Sequence, residues 1–222
     1  MFLSRVEIDT KNRRKIKELT HLGAYHNWVE QSFPDEFRNP IRLRHLWRLD
    51  ELGDKQYLLI LSKNRPNIEG MERYGIPGSA QIKLYDKFLA QLETGQQVQF
   101  RLTANPTYAA YQAGERGRIY PHVTITQQLE WLIGRSELSG FHIPQLVLQG
   151  ETNSITTRAF DIISRDHPIL KKKNSKNIRV SRVTFEGKLE IQNLTNFKNA
   201  LLEGIGREKA YGMGLMTVIP ER

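Results

Sequence analysis

The sequence predicts an α+β fold in two similar halves. Two runs of strand and helix patterns carry that reading, one on each side of a connector near residues 87–95. Composition agrees: 39% hydrophobic and 9% aromatic residues are enough to pack cores, and they exclude a disordered tail protein. No repeat is visible at the level of sequence, so the similarity of the halves lies in the order of their elements.

Residues 2–9 alternate with Val6 and Ile8 facing inward, as in a half-buried strand. Thr10 is positioned to cap a helix carrying Ile16 and Leu19, which Gly23 interrupts. A second short helix from Ala24 to Ser32 gathers Tyr25, Trp28 and Val29 on one face and stops before Pro34. Strands follow at 41–50 and 56–63, joined at Gly53-Asp54. Residues 64–79, rich in Gly, Pro and Asn, predict a loop, and 80–85 a fourth strand. This order is the ferredoxin-like plan.

In the second half Val98, Phe100, Leu102 and Ala104 alternate with polar residues until Asn105-Pro106 ends the strand. Thr124 and Gln127 predict a capping box for a helix with Leu129, Leu132 and Ile133 inward. Residues 145–149 and 155–163 read as strands. Glu186-Gly187 reads as a two-residue turn that joins strands 178–185 and 188–192 into a hairpin. Thr195, Phe197, Ala200 and Leu201 predict a capped helix ending at Gly204, and Leu215 to Ile219 the final strand.

Bulk properties narrow the function. A formal charge of +9 points to a polyanionic partner. Six cations, Lys171, Lys172, Lys173, Lys176, Arg179 and Arg182, fall within twelve residues that contain no acid. Such a run is either a solvated loop or an arm for nucleic acid. No cysteine is present, which removes disulfides, thiolate metal sites and a cysteine nucleophile. The longest aliphatic run, Leu58 to Leu61, is far too short to span a membrane. The charged, alternating first residues do not resemble a signal peptide, so the expected location is the cytoplasm, with no membrane partner.

The segment from Gly204 to Gly214 places Gly204, Gly206, Gly212 and Gly214 around Arg207, Lys209 and Tyr211. It leaves a helix and enters a strand. A dinucleotide fingerprint does the reverse, and a P-loop ends in Gly-Lys-Ser/Thr, which this segment lacks. Two readings remain: a tight helix-to-strand turn, or a backbone that approaches a phosphodiester chain closely.

The histidines at 21, 26, 45, 122, 142 and 167 show no HExxH spacing, and no GxSxG is present. His26 is distinctive because it borders the Tyr25/Val29 stripe of its helix, beside polar Asn27 and Glu30. An imidazole so placed is either surface decoration or a proton-transfer group. RNA carries its own nucleophile, the 2′-hydroxyl, so cleaving it requires only a base, an acid and cations at the phosphate.

Several segments carry a resemblance. Met1-Phe2-Leu3-Ser4-Arg5-Val6, Tyr25-His26-Asn27-Trp28-Val29, Phe33-Pro34 and Leu46-Trp47-Arg48 are similar to the CRISPR-associated CasE endoribonucleases. So are Phe100 to Pro106, Trp131-Leu132, Phe185-Glu186-Gly187 and the Gly204-to-Leu215 loop. The similarity runs in order along the whole chain. It implies two tandem ferredoxin-like (RRM-like) domains, 1–86 carrying the active-site histidine and 96–222 carrying the basic arm and glycine loop. It further implies metal-independent cleavage, with no cofactor, at the 3′ base of the stem-loop in a CRISPR precursor transcript. The protein would then stay on the mature guide RNA as a subunit of the Cascade surveillance complex. Residue by residue, His26 matches the family's catalytic histidine, with Tyr25 a helper. Some relatives place their assisting tyrosine one helical turn earlier, where this chain has Leu22 and Gly23. Lys171, Lys172, Lys173, Lys176, Arg179, Arg182, Arg158, Arg207 and Lys209 are the expected RNA contacts. A hairpin-binding subunit without catalysis and a nucleotide-binding enzyme are the rival readings.

Overall fold

A computed structural model of the protein describes residues 1–38, 43–111, 114, 117–149, 154–170 and 177–221. The chain divides into two compact units, neither of them contiguous. One gathers Met1–Gln91, Pro168–Val180 and Glu208–Leu215; the other gathers Leu92–His167, Ser181–Arg207 and Met216–Arg222.

In the first unit β1 (Phe2–Glu7) leads into α1 (Arg13–Glu18) and α2 (Leu22–Gln31). The hairpin β2 (Leu46–Leu52) and β3 (Lys55–Ser62) follows, then α3 (Ile68–Glu72), β4 (Gln81–Leu84) and α4 (Asp86–Ala90). The strands form one antiparallel sheet in the order β2-β3-β1-β4. Read from its other edge, that is the strand order of a ferredoxin-like fold. Its core holds Val6, Trp28, Val29, Trp47, Leu58, Ile60 and Met71.

The second unit repeats the plan. Its chain runs through β5 (Gln97–Ala104), β6 (Thr107–Ala110), β7 (Arg118–Pro121), α5 (Ile125–Ser136), β8 (Phe141–His142), β9 (Gln145–Gln149), β10 (Ser154–Arg158) and β11 (Phe160–Asp166). Next come β12 (Ile169–Leu170) and β13 (Ile178–Arg179), which pair with each other in the first unit. The chain ends with β14 (Arg182–Ile191), α6 (Leu194–Glu203) and β15 (Met216–Pro220). The main sheet runs β11-β14-β5-β15, so β5, β11, β14 and β15 take the places that β1 to β4 take in the first unit. The fold is therefore α+β, with two ferredoxin-like units in tandem. Val98, Phe100 and Leu102 of β5 pack with Phe141, Phe185, Leu189 and Phe197 in the second core.

Several local expectations change. Asn12, not Thr10, caps α1 by accepting from the amides of Arg14 and Lys15. The break falls at Leu19 to His21, and Gly23 lies inside α2, whose cap is the His21 side chain. Residues 64–79 contain α3, and the connector contains α4. The capping box of Thr124 and Gln127 forms, but the buried face of α5 is Gln128, Trp131, Leu132 and Ser136. Leu129 and Ile133 are half-buried at its margins. Asn193 rather than Thr195 caps α6.

The largest change concerns Glu186-Gly187, which is not a turn. Both residues lie inside the continuous strand β14. Ala159 and Phe160 cross so close to Gly187 that any Cβ there would overlap them, and the Lys188 N–H donates to Ala159 O at 2.7 Å. The glycine serves a close approach of backbone within a sheet.

Candidate active site

Helix α2 stops at Ser32, whose hydroxyl and amide both turn back to the Trp28 carbonyl. Trp28 is fully buried and its Nε1 donates to the carbonyls of Gly70 and Met71 at 3.0 and 3.1 Å. These contacts fix the rotation of the helix about its axis, and so the direction in which residues 25 and 26 point. Tyr25 turns inward, its ring stacked on Trp47 with centroids 6.1 Å apart and tilted on Trp28 at 6.4 Å. His26, about 100° further round the helix, stays at the surface with 36% of its side chain exposed.

The exposure of that ring is one-sided. The Nδ1 atom of His26 is shielded from solvent and lies 3.9 Å from Glu30 Oε1, one helical turn on. The exposed area therefore belongs to the rest of the side chain. Tyr211 flanks it, with centroids 6.0 Å apart and planes tilted by 51°.

Tyr211 belongs to a single 3-10 turn, Lys209–Tyr211, inside the glycine loop. Trp47 holds that turn in place: its Nε1 donates to Ala210 O at 3.0 Å. Arg48 holds the exit, its Nη1 donating to Leu215 O at 3.0 Å while Asp50 takes its Nε and Nη2 at 2.6 and 2.8 Å. Gly212 has φ +77°, and a Cβ on it would lie 2.6 Å from the Trp47 ring. Only glycine fits there. In the second unit Gly206 has φ +89° and faces Trp131 in the same manner. The glycines of this segment thus let backbone lie flat on tryptophan.

The expected RNA-binding residues are scattered. Lys209 is half-buried, near the His26–Tyr211 pair in sequence and in the same unit, whereas Arg207 is exposed and belongs to the second unit. Arg179 is exposed on β13. Arg182 grips Asp166 with two nitrogens at 2.8 and 2.5 Å, and Arg158 Nη1 donates to Ile143 O at 3.2 Å. Lys171, Lys172, Lys173 and Lys176 lie outside the described residues. The flanks of that arm are anchored: Leu170 and Val180 are 2% and 4% exposed, in the core of the first unit.

Sequence reasoning missed Tyr211 as the aromatic neighbour of His26, and it missed His45. The latter is 1% exposed and stacked on Phe33 with centroids 3.9 Å apart. Its Nδ1 lies 3.0 Å from Glu30 Oε1, the same oxygen that faces His26. An i,i+4 spacing of His26 and Glu30 is legible in the sequence; the approach of His45 is not.

Comparison with known proteins gives a consistent result. The family described as "CRISPR associated protein" matches residues 1–220. The CRISPR-associated endoribonuclease Cse3 of Thermus thermophilus is 26% identical over 226 residues, covering 99% of this chain and 100% of the relative. A structure of Thermus thermophilus Cse3 bound to an RNA representing a pre-cleavage complex matches with a TM-score of 0.74 and 25% identity, over 99% of this chain and 98% of that one. A chain of a CRISPR RNA-guided surveillance complex in a pre-nicking state matches with a TM-score of 0.66 and 22% identity, over 100% of this chain and 100% of that one, a likeness of fold.

Proposed function

The chain belongs to the CRISPR-associated protein family, and on that premise we propose that it is an endoribonuclease that matures CRISPR precursor RNA. It recognises the stem-loop of each repeat and cuts at the 3′ base of the stem. It then stays with the guide as a subunit of the Cascade surveillance complex, which places its work inside a prokaryotic cytoplasm. The observation that carries the reading is the one-sided exposure of His26, in a chain similar to Cse3 from end to end.

The chemistry is an internal displacement. The 2′-oxygen next to the scissile bond attacks phosphorus, a P–O2′ bond forms, and the P–O5′ bond breaks. One proton leaves the 2′-hydroxyl and one reaches the departing 5′-oxygen. The products are a 2′,3′-cyclic phosphate and a 5′-hydroxyl end. His26 moves one of these protons, and Tyr25, packed on Trp47 and Trp28, assists by holding the helix that carries it. Neither a metal nor a protein nucleophile is needed, because the substrate supplies its own.

Cations hold the substrate. Arg179, Arg207, Lys209 and the arm residues Lys171, Lys172, Lys173 and Lys176 contact backbone phosphates. Arg158 and Arg182 reach RNA with guanidinium N–H groups beyond those that bind Ile143 and Asp166. A-form stems are read mainly by shape and backbone, which suits a set dominated by cations. We assign catalysis to the unit that gathers Met1–Gln91, Pro168–Val180 and Glu208–Leu215, so that Arg179 and Lys209 share a unit with His26, while Arg158, Arg182 and Arg207 belong to the other.

A synthetic repeat hairpin incubated with the protein in excess chelator tests this. Cleavage with cyclic-phosphate ends is expected, and His26→Ala is expected to bind the hairpin but cut it about 10²–10⁴-fold more slowly. Binding without cleavage by the unaltered protein would make it a hairpin-binding subunit instead.

A further inference from the structure

From His26 a line of polar side chains runs past the buried His45 to Asn64 at the surface of the first unit. His26 Nδ1 faces Glu30 Oε1 at 3.9 Å, and the same oxygen lies 3.0 Å from His45 Nδ1. On the other side of that ring, His45 Nε2 lies 3.2 Å from Glu36 Oε2. Asn64 Nδ2 donates to the remaining oxygen of Glu36 at 2.9 Å. The order is imidazole, carboxylate, imidazole, carboxylate, amide. It is a line and not a cluster: among the described residues no three such side chains converge as a metal site requires.

The line is built by the end of α2. Glu30 sits in its last turn, on the His26 face. Phe33 and Pro34 then redirect the chain into a 3-10 helix, Pro34–Arg38, which carries Glu36. His45, next to the start of β2, returns to lie flat on Phe33 with planes only 5° apart. Glu30 and Glu36 are 23% and 13% exposed, and His45 only 1%. Buried ionisable groups are costly unless paired, and a surface nuclease site has no packing need for three of them in series.

We infer that Glu30 and His45 are positioning residues for His26. Glu30 accepts the Nδ1–H of His26 and so keeps Nε2 free of its proton in the neutral ring and turned outward. His45 holds Glu30 from behind through Nδ1, its own ring fixed by the stack on Phe33. The separation of 3.9 Å is longer than a hydrogen bond and closes when substrate settles the imidazole, as catalytic contacts commonly do. A histidine oriented through its second nitrogen by a carboxylate is a general solution for acid–base catalysis. The inference rests on the endoribonuclease reading.

Two measurements test it. In hairpin cleavage assays, Glu30→Gln and His45→Gln are expected to lower kcat about tenfold to hundredfold, a part of the acid–base contribution, with KM and hairpin affinity unchanged. His45→Gln, which keeps an N–H for Glu30, is expected to retain more activity than His45→Leu. Unchanged kcat in Glu30→Gln overturns the inference and leaves the nuclease reading intact. An unaltered protein that does not cut at all overturns both. Independently of any variant, long-range ¹H–¹⁵N spectra of the unaltered protein are expected to show neutral His26 as the Nδ1–H tautomer. The Nε2–H tautomer would overturn the inference even if the variants failed to fold.

Discussion

Trp47 Nε1 donates to the carbonyl of Ala210, a residue 163 positions later, and so fastens the glycine loop to the strand next to His26. The same indole stacks on Tyr25. One side chain therefore sets the position of both the helix that carries His26 and the turn that carries Tyr211. Trp47→Phe keeps a ring for Tyr25 but removes the donor. A net hydrogen bond is worth about 1 kcal/mol and the smaller ring packs less well, so we expect a cost of about 1–3 kcal/mol in urea unfolding. Cleavage is expected to fall further than hairpin binding.

Gly212→Ala should be more damaging than its single added methyl suggests. The backbone there has φ +77° and the new Cβ would lie 2.6 Å from the Trp47 ring. Left-handed backbone costs about 1–2 kcal/mol and overpacking about 1–3 kcal/mol more. Gly53, also at positive φ but with nothing within 4 Å, is the control. Gly53→Ala is expected to show the backbone cost alone. Equal melting temperatures for the two variants would refute the close approach to Trp47.

Tyr85 gives the protein a sensitivity to alkali. Burial pushes its phenol up to about 12 from 10, against a smaller opposing influence of Arg48. Between those values the folded protein keeps a proton that the unfolded chain has released. The stabilisation is thus complete below pH 10 and is lost as pH rises towards about 12, a change of roughly 2–3 kcal/mol. Tyr85→Phe is expected to lose less stability than the unaltered protein across this window, read by urea unfolding at its two ends. Parallel losses would place the phenol in water.

Neutralising Lys171, Lys172 and Lys173 to Gln together is expected to weaken hairpin binding and flatten its salt dependence. Every phosphate that is no longer neutralised takes about 0.7–0.9 off the log–log slope. The anchors Leu170 and Val180 are buried, so the effect should come without loss of stability. An unchanged slope would make the run a solvated loop.

Much of this architecture is legible from residues alone. Local periodicity finds most strands and helices of each half, but it misses α3 and α4 and splits β14 into a hairpin. The terminal glycine segment stands out because four glycines bracket two cations and only Gly204 is needed to end a helix. What escapes is tertiary. Gly187 carries the same local signal as a hairpin turn, yet it is there because Ala159 and Phe160 cross it. The caps Asn12 and Asn193 lie about two residues from equally good hydroxyl candidates, and only the backbone path chooses between them. His45 looks like any other histidine until the chain returns it to Glu30.

Residues 208–215 complete the first unit and 216–220 supply the outer strand of the second. Neither unit can finish folding while a ribosome still withholds this stretch. A nascent chain carries its imidazole from the start but gains the flanking tyrosine and the clamped turn only late in synthesis. On the proposed function, cutting is expected only once translation has passed the glycine segment, since Tyr211 and its turn arrive with it.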